Sequence, residues 1–101
     1  MLIDICNLKH EKPHYPFEVK VCRGVSILGN PFPLNHESER DEVCDKYEKW
    51  FNQNLETLQP ALRRLLSIYD KYERLRLFCF CAPKRCHAET IKKWLEDNYN
   101  K

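Results

Sequence analysis

The sequence predicts an α/β protein: one small domain built as a three-layer sandwich, with a short, mostly parallel sheet and helices on both faces. Three stretches have the short apolar or alternating pattern of strands, and three longer stretches have the periodicity of amphipathic helices. They follow one another in the order β-β-α-α-β-α. The third strand, within "RLRLFCF" at residues 74–80, is apolar on both sides, which is typical of a strand between helical layers.

The first two strands are predicted near the amino terminus. Residues 2–5 contain an apolar run that suits a short buried strand. Residues 17–21 alternate between apolar and charged side chains, the period of two that marks a half-buried strand. This strand should end at Arg23 and Gly24. The loop after it contains Gly29, Asn30 and two prolines, so we expect a fixed, irregular connection.

Three helices complete the predicted fold. Ser38 is expected to cap the first, because acidic residues and then an apolar stripe follow it. The second contains the apolar positions of residues 58–72, and we place Pro60 in its first turn, where a missing N–H is tolerated. The third helix follows a break at residues 82–83 and extends to about Asn98.

Composition limits the classes of function. Six cysteines in a secreted chain would suggest disulfides, but the amino terminus has neither the basic nor the long apolar segment of a signal peptide, so we expect reduced thiols in the cytoplasm. No apolar run approaches the roughly 18 residues that span a membrane. The net charge of +2 and the lack of a recognised reader motif make nucleic acid the least favoured partner.

A pocket for an anion is predicted at the carboxyl ends of the second and third strands, where open α/β sheets usually bind ligands. If these strands are parallel, the loop around Gly29 meets the loop "CAPKRCH" of residues 81–87. Gly29 would let backbone amides approach a ligand, and the helix that begins near residue 86 would offer unpaired N–H groups. The alternative is ordinary turn chemistry with solvated basic residues. Four cations could add charge to this pocket: Arg23, Arg40, Lys84 and Arg85.

The segment "CFCAPKRCH" at residues 79–87 allows three hypotheses. Cys79, Cys81, Cys86 and His87 could bind zinc or an iron–sulfur cluster, although their spacing differs from that of the usual ligand pairs. Cys86 could instead be a reactive thiolate at a helix start, with His87 as its base. The third hypothesis makes the cysteines small core residues. We expect the four side chains to cluster at the end of strand three, where Pro83 turns the chain, and we favour a cluster without a metal.

Several short motifs together resemble the family called domain of unknown function 4326. The resemblance covers residues 3–95, with Cys22 and Ala88 where the family has glycine and Phe80 where it has tryptophan. It implies a bacterial or bacteriophage intracellular protein and no established reaction. The motifs are Asn7, "VCRG" at 21–24, "LGNPF" at 28–32, Arg40, Tyr47, Trp50 and "CFCAPKRCH". The resemblance also favours a joint pocket of seven residues: Arg23, Gly29, Asn30, Arg40, Cys81, Cys86 and His87.

Two functions follow as hypotheses from the sequence. The first is binding or processing of a phosphate-bearing small molecule, such as a nucleotide or nucleotide sugar. In this hypothesis Asn30 and the loop amides position the ligand, Arg23 and Arg40 hold its charge, and Cys86 and His87 supply any chemistry. The second is a non-enzymatic module, such as a bacteriophage effector that binds a host protein, with a structural cysteine loop. Its contact surface would be a basic face: Arg63, Arg64, Lys92 and Lys93.

Overall fold

The computed structural model describes residues 1–81 and 84–99 as one parallel sheet with three helices. The middle strand is the last in sequence, and it pairs with both others. The predicted α/β class, element order and parallel sheet are confirmed. The predicted chain break at Ala82 and Pro83 lies outside the described residues. The strands are β1 (Ile3–Asn7), β2 (Glu18–Lys20) and β3 (Leu75–Cys79), and the helices are α1 (Arg40–Gln53), α2 (Leu55–Tyr72) and α3 (Ala88–Asn98).

All three helices contribute to a core on one face of the sheet. Leu75, Leu77 and Cys79 of β3 point to this face, because side chains alternate along a strand. Helices α2 and α3 contact each other and β3, while α1 contacts α2. Each fully buried aliphatic side chain contributes about 1.5–3 kcal/mol of transfer free energy. The helices bury large side chains here, as their periodicity predicts: Tyr47, Phe51, Leu58, Leu62, Ile91 and Leu95.

The opposite face of the sheet is covered by charged side chains. Arg76 and the fully buried Phe78 point to it. Arg76 Nη2 lies 2.9 Å from Glu11 Oε1 in the loop between β1 and β2, and Arg76 Nη1 lies 2.5 Å from Glu18 Oε2. The guanidinium lies over the Phe78 ring, 5.4 Å from its centroid. The sequence predicts helices on both faces, but here an arginine held by two carboxylates shields the second face, and the described helices form one layer.

The start of α1 differs from the prediction. A 3₁₀ turn at Glu37–Glu39 precedes the helix, which begins at Arg40. The Glu39 carboxylate accepts a hydrogen bond from the backbone N–H of His36 at 3.0 Å, so the last residue of the turn bonds the residue that precedes the turn. Ser38 lies inside this turn and is not the cap.

The start of α2 also differs from the prediction. The helix begins at Leu55, where the carbonyl of Asn54 accepts the backbone N–H of Leu58 at 3.0 Å. Pro60 therefore lies beyond the first turn, inside the helix, with its ring on the exposed side. No helix in the described part of the chain is long and apolar enough to cross a membrane.

The Glu18 side chain predicts an acid-dependent loss of stability. It is 2% exposed, and the N–H groups of His14 and Tyr15, together with Arg76, hold the pKa of its carboxyl down to about 2, against 4.5 for an ordinary glutamate. Because the folded-state pKa is lowered, this stabilisation is complete above about pH 4.5 and is lost as the pH falls towards 2. Melting temperatures of wild type and Glu18→Gln should therefore converge across this window.

The matched control for Glu18 is Glu56→Gln on the exposed side of α2. Its melting curve should stay parallel to that of wild type between pH 4.5 and 2. A Glu18→Gln curve that also stays parallel would show that the Glu18 carboxylate is not held in the folded state by His14, Tyr15 and Arg76.

Candidate functional site

The carboxyl ends of β2 and β3 border a shared cavity of about 160 Å³. Because the two strands are parallel, the loops that follow them leave from the same edge of the sheet. The loop after β2, the first turns of α1 and the segment before α3 supply the walls. All of the predicted site residues except Gly29 line this cavity: Arg23, Asn30, Arg40, Cys79, Cys81, Cys86 and His87.

Gly29 shapes the loop behind the cavity. A Cβ at this position would lie 2.7 Å from the Cys22 carbonyl oxygen and 2.9 Å from Arg23 Cα. Side chains do not tolerate such short contacts, so only glycine lets the loop lie directly on the chain that leaves β2. The close approach that the sequence predicts at Gly29 is thus made to the protein's own backbone.

Asn30 is buried and fixes the turn that follows Gly29. Its Oδ1 accepts the backbone N–H of Phe32 at 2.9 Å, which closes an Asx turn. With Oδ1 used in this way, the amide NH₂ is the group that Asn30 can offer to the cavity.

His87 joins the start of α3 to the end of β2. Its Nε2 lies 2.5 Å from the Val21 carbonyl oxygen, and because a carbonyl only accepts, Nε2 carries the hydrogen and donates it. The ring meets Tyr47 edge-on, with 5.1 Å between centroids, and the Tyr47 hydroxyl donates to the Leu28 carbonyl at 2.6 Å. Burial lowers the pKa of His87, and the charge of Arg23 lowers it further, against the opposing effect of the Val21 carbonyl. The ring is therefore neutral at pH 7.

Arg40 is held in place by the chain itself. Its Nε and Nη2 each bond one oxygen of the Glu37 carboxylate at 2.8 Å. Lys84 Nζ lies 3.2 Å from the same carboxylate. Hydrogen bonds from Arg40 and Lys84 lower the pKa of Glu37 to about 2, and bonds to Glu37 and to Cys81 raise the pKa of Arg40. Two cations thus share one carboxylate, and one positive charge is left over.

Arg85 ties the segment before α3 to α1. Its guanidinium bonds Asp41 at 3.0 Å and Asp45 at 2.8 Å. Its backbone carbonyl accepts Arg40 Nη1 at 2.9 Å and the Cys44 thiol at 3.7 Å. The side chain of Arg85 therefore stabilises the contact between this segment and α1. Contrary to the prediction, it does not add charge to the cavity.

Arg23 is the exposed cation of the cavity. One of its terminal nitrogens donates to the Phe32 carbonyl, which orients the guanidinium over the loop. Among the described residues that line the cavity, none is a carboxylate. The cavity therefore has an excess of positive charge, from Arg23 and Arg40.

Cys79 and Cys86 form a buried pair of sulfurs 3.2 Å apart. Cys86 is only 3% exposed. The hydrogen bond with Cys79 and burial raise the pKa of the Cys86 thiol, and the Ala88 N–H offsets this only in part. Cys86 is thus a protonated thiol, without the activation that the sequence predicts for a nucleophile at a helix start.

The predicted metal ligands line one cavity, but they are not arranged as a ligand set. Within residues 1–81 and 84–99, no group of three or more histidine, cysteine and acidic side chains is placed to hold a metal ion. One reason is that Nε2 of His87 is turned towards the Val21 carbonyl. Cys81 interacts with the Arg40 guanidinium. Because Cys81 is half-buried and the other cysteines of the cavity are buried, its sulfur is the most accessible one there.

Several cavity residues are not predicted by the sequence as site residues. Phe80 is predicted in the core, yet it is 53% exposed and lines the cavity, because β3 ends at Cys79 and the sheet does not cover the next side chain. The tryptophan that the resemblance leads us to expect at this position is the one signal in the sequence that points to it. Four buried or half-buried residues complete the lining: Cys22, Leu34, Val43 and Cys44.

The chain belongs to the family described as Domain of unknown function (DUF4326), whose match covers residues 6–97 of the 101. This range includes every described residue that lines the cavity. No curated protein and no solved structure matches the chain.

The burial of the cavity sulfurs predicts an order of alkylation. We expect Cys81 to react first with iodoacetamide under native conditions, and Cys79 and Cys86 to react last, because the latter two are buried and share one contact. Timed alkylation, followed by mass spectrometry with fragment ions that separate Cys79 from Cys81, measures the order. Cys81→Ser should abolish the fastest phase, and a first modification at Cys86 would contradict this account of the site.

Proposed function

We propose that this protein binds a phosphate-bearing small molecule of the nucleotide type in the cavity at the carboxyl ends of β2 and β3. The observation that carries the proposal is the meeting of Arg23, Asn30 and Arg40 in one cavity whose described lining includes no carboxylate. Ligands of open α/β sheets usually occupy this position. The planar guanidinium of arginine also suits the oxygens of a phosphate group.

The size of the cavity limits which part of the ligand enters it. Its volume of about 160 Å³ is well below the roughly 300–1,000 Å³ of sites that enclose a whole drug-sized ligand. A phosphate group matches this volume, whereas a complete nucleotide exceeds it. The rest of the ligand would therefore lie outside, against the rim.

Phe80 is the side chain at the rim that suits a nucleobase. It is a large exposed apolar residue, and it lines the same cavity as the arginines. Stacking of a base on an aromatic side chain contributes about 1–3 kcal/mol. An aromatic rim beside a positively charged cavity supports a nucleotide more than a simple sugar phosphate.

The two arginines would contribute to different extents. Arg23 is exposed, and its bond to a backbone carbonyl leaves its charge uncompensated. Arg40 shares the Glu37 carboxylate with Lys84 and bonds the Arg85 carbonyl, so its orientation is fixed before a ligand arrives. We expect Arg23 to supply most of the attraction and Arg40 to supply position.

The proposal concerns binding, and no bond-making step is part of it. The protonated, buried thiol of Cys86 does not support its predicted role as a nucleophile. The Nε2 hydrogen bond of His87 to Val21 likewise gives that ring a structural task. We further propose a bacterial or bacteriophage origin and a cytoplasmic location, supported by the family resemblance and by six free cysteines.

A second candidate function is docking of a host protein. Val25 and Ile27 are 62% and 55% exposed, and they lie beside β2, which is an edge strand of the sheet. Exposed apolar side chains next to an open strand edge are typical of protein contacts. The basic face around Arg63 and Lys92 stays a prediction.

Ligand titration with two variants tests the first proposal. Phosphate, pyrophosphate and a panel of nucleotides are titrated while melting temperature and heat of binding are measured. Ligand at 100 times its dissociation constant should add about 2.7 kcal/mol of stability. Asn30→Asp keeps the acceptor for Phe32 N–H but adds a negative charge. This variant should lower the affinity for every anion by roughly tenfold or more, since unit charges about 4 Å apart repel by about 4 kcal/mol at an effective dielectric constant near 20.

The second variant separates the base from the phosphate. Phe80→Ala should weaken the binding of nucleotides by about 1–3 kcal/mol and leave the binding of pyrophosphate unchanged. Arg63→Gln, exposed on α2 and outside the cavity, lowers the net charge by one unit as Asn30→Asp does, and it is the control for that change. Absence of any stabilising ligand, or equal binding by Asn30→Asp, would sink the proposal and leave the docking function as the better account.

A further inference from the structure

The sulfurs of Cys79 and Cys86 lie 3.2 Å apart at the floor of the cavity, although the residues are seven positions apart in the chain. We propose that these two cysteines are a redox-active dithiol that closes to a disulfide, and that Cys81 is the thiol through which a small disulfide oxidant reaches them. The proposal is independent of the ligand proposed above, because it concerns the protein alone.

The fold already holds the two sulfurs within about 1 Å of the length of a disulfide bond. Cys79 is the last residue of β3, and Cys86 precedes α3, where the backbone N–H of Ala88 bonds its sulfur. A disulfide bond is about 2.05 Å long, so the sulfurs need to approach by only about 1 Å. Both elements are anchored in the core, so the preorganised pair pays little conformational entropy when the bond forms.

Access to the pair is through Cys81. Cys79 and Cys86 are 1% and 3% exposed, so an oxidant from solvent does not reach them directly. Cys81 is half-buried and lines the same cavity. The Arg40 guanidinium, which interacts with Cys81, presents a positive charge to an anionic oxidant such as glutathione disulfide.

The chemistry is thiol–disulfide exchange in three steps. The Cys81 sulfur, having lost its proton, attacks one sulfur of the oxidant, whose S–S bond breaks and whose other half leaves as a thiolate that takes up a proton. The Cys86 thiol then attacks the Cys81 sulfur as its proton passes to the departing sulfur, and the second half of the oxidant leaves as a thiol. The Cys79 thiol finally displaces Cys81 from Cys86 in the same way, and its proton passes to the Cys81 sulfur. Two protein thiols are oxidised, one disulfide is reduced to two thiols, and Cys81 is returned as a thiol.

Closure of this bond would act on the cavity. It would join the end of β3 to the residue before His87, which bonds the end of β2. The reduced and oxidised forms would therefore differ in the floor of the cavity. The segment before α3, which Arg85 already attaches to α1, would also be attached to β3.

Peptide mapping of the full chain tests the proposal. Reduced protein, freed of metal by a chelator, is equilibrated in reduced and oxidised glutathione at a series of ratios. Free thiols are then blocked under denaturing conditions, and the protein is digested with trypsin. We expect loss of two of the six thiols in one cooperative step, with a disulfide between peptide 77–84 and peptide 86–92. The Cys81→Ser variant should form the same link more slowly. Because Cys79 is then the one cysteine left in peptide 77–84, this result assigns the link to Cys79.

Serine variants give the controls. Cys86→Ser should abolish the cross-link and retain only a glutathione adduct, and Cys79→Ser should stop at the intermediate disulfide between Cys81 and Cys86, whereas Cys44→Ser, which lines the same cavity, should behave as wild type. The wild-type map needs no variant and keeps the test decisive if a serine variant fails to fold. A protein that keeps six thiols at every ratio, or that links other cysteines, would overturn the proposal. Equal rates for wild type and Cys81→Ser would overturn the role of Cys81.

Discussion

The cavity depends on a neutral His87 ring. Its Nε2–H satisfies the Val21 carbonyl at the end of β2, and its edge lies against Tyr47, whose hydroxyl satisfies the Leu28 carbonyl. Loss of either bond would leave a buried carbonyl unpaired, at about 1–3 kcal/mol. Because burial lowers the folded-state pKa of this ring, the unfolded chain takes up the proton at higher pH than the folded one. The stability that the ring contributes is complete above about pH 6.5 and falls as the pH drops below it.

The ion pairs at this edge explain why so few of the nearby cations are available to a ligand. Asp41 and Asp45 of α1 hold Arg85, and Glu37 holds both Arg40 and Lys84. An exposed pair of this kind contributes little stability by itself, about 0–1 kcal/mol. Together they fix the segment before α3 against α1, with the cysteine pair beneath it. Positive charge is thus left at Arg40 and Lys84, which share the Glu37 carboxylate, and at Arg23, which bonds a backbone carbonyl instead of a carboxylate.

Periodicity was sufficient to predict the element order and the buried face of each helix, because these depend on neighbours within a few residues. The parallel sheet then brought the two loops together, as expected of strands that share an edge. Predictions failed where a distant partner decides the outcome. Lys84 and Arg85 are paired with carboxylates 40 or more residues away, and Gly29 lies against Cys22 rather than a ligand. The sequence pattern contains no record of either contact.

Local patterns were also insufficient at the ends of the elements. Phe80 continues the alternation of β3, but the strand stops one residue earlier and leaves the ring at the rim. Ser38 is a good cap by residue type, yet the chain closes a 3₁₀ turn with Glu39 instead. The thiol pair could be predicted only as a cluster, because a 3.2 Å contact depends on how β3 and α3 are packed.

The most direct test of this account is the protonation state of His87, measured by long-range ¹H–¹⁵N correlation NMR during a titration from pH 8 to pH 5. Comparison with His87→Gln assigns its signals among the four histidines. We expect a neutral ring with the hydrogen on Nε2 at pH 7 and a titration midpoint below the ordinary 6.5. A hydrogen on Nδ1, or a midpoint at or above 6.5, would contradict the bond to Val21 on which the cavity depends.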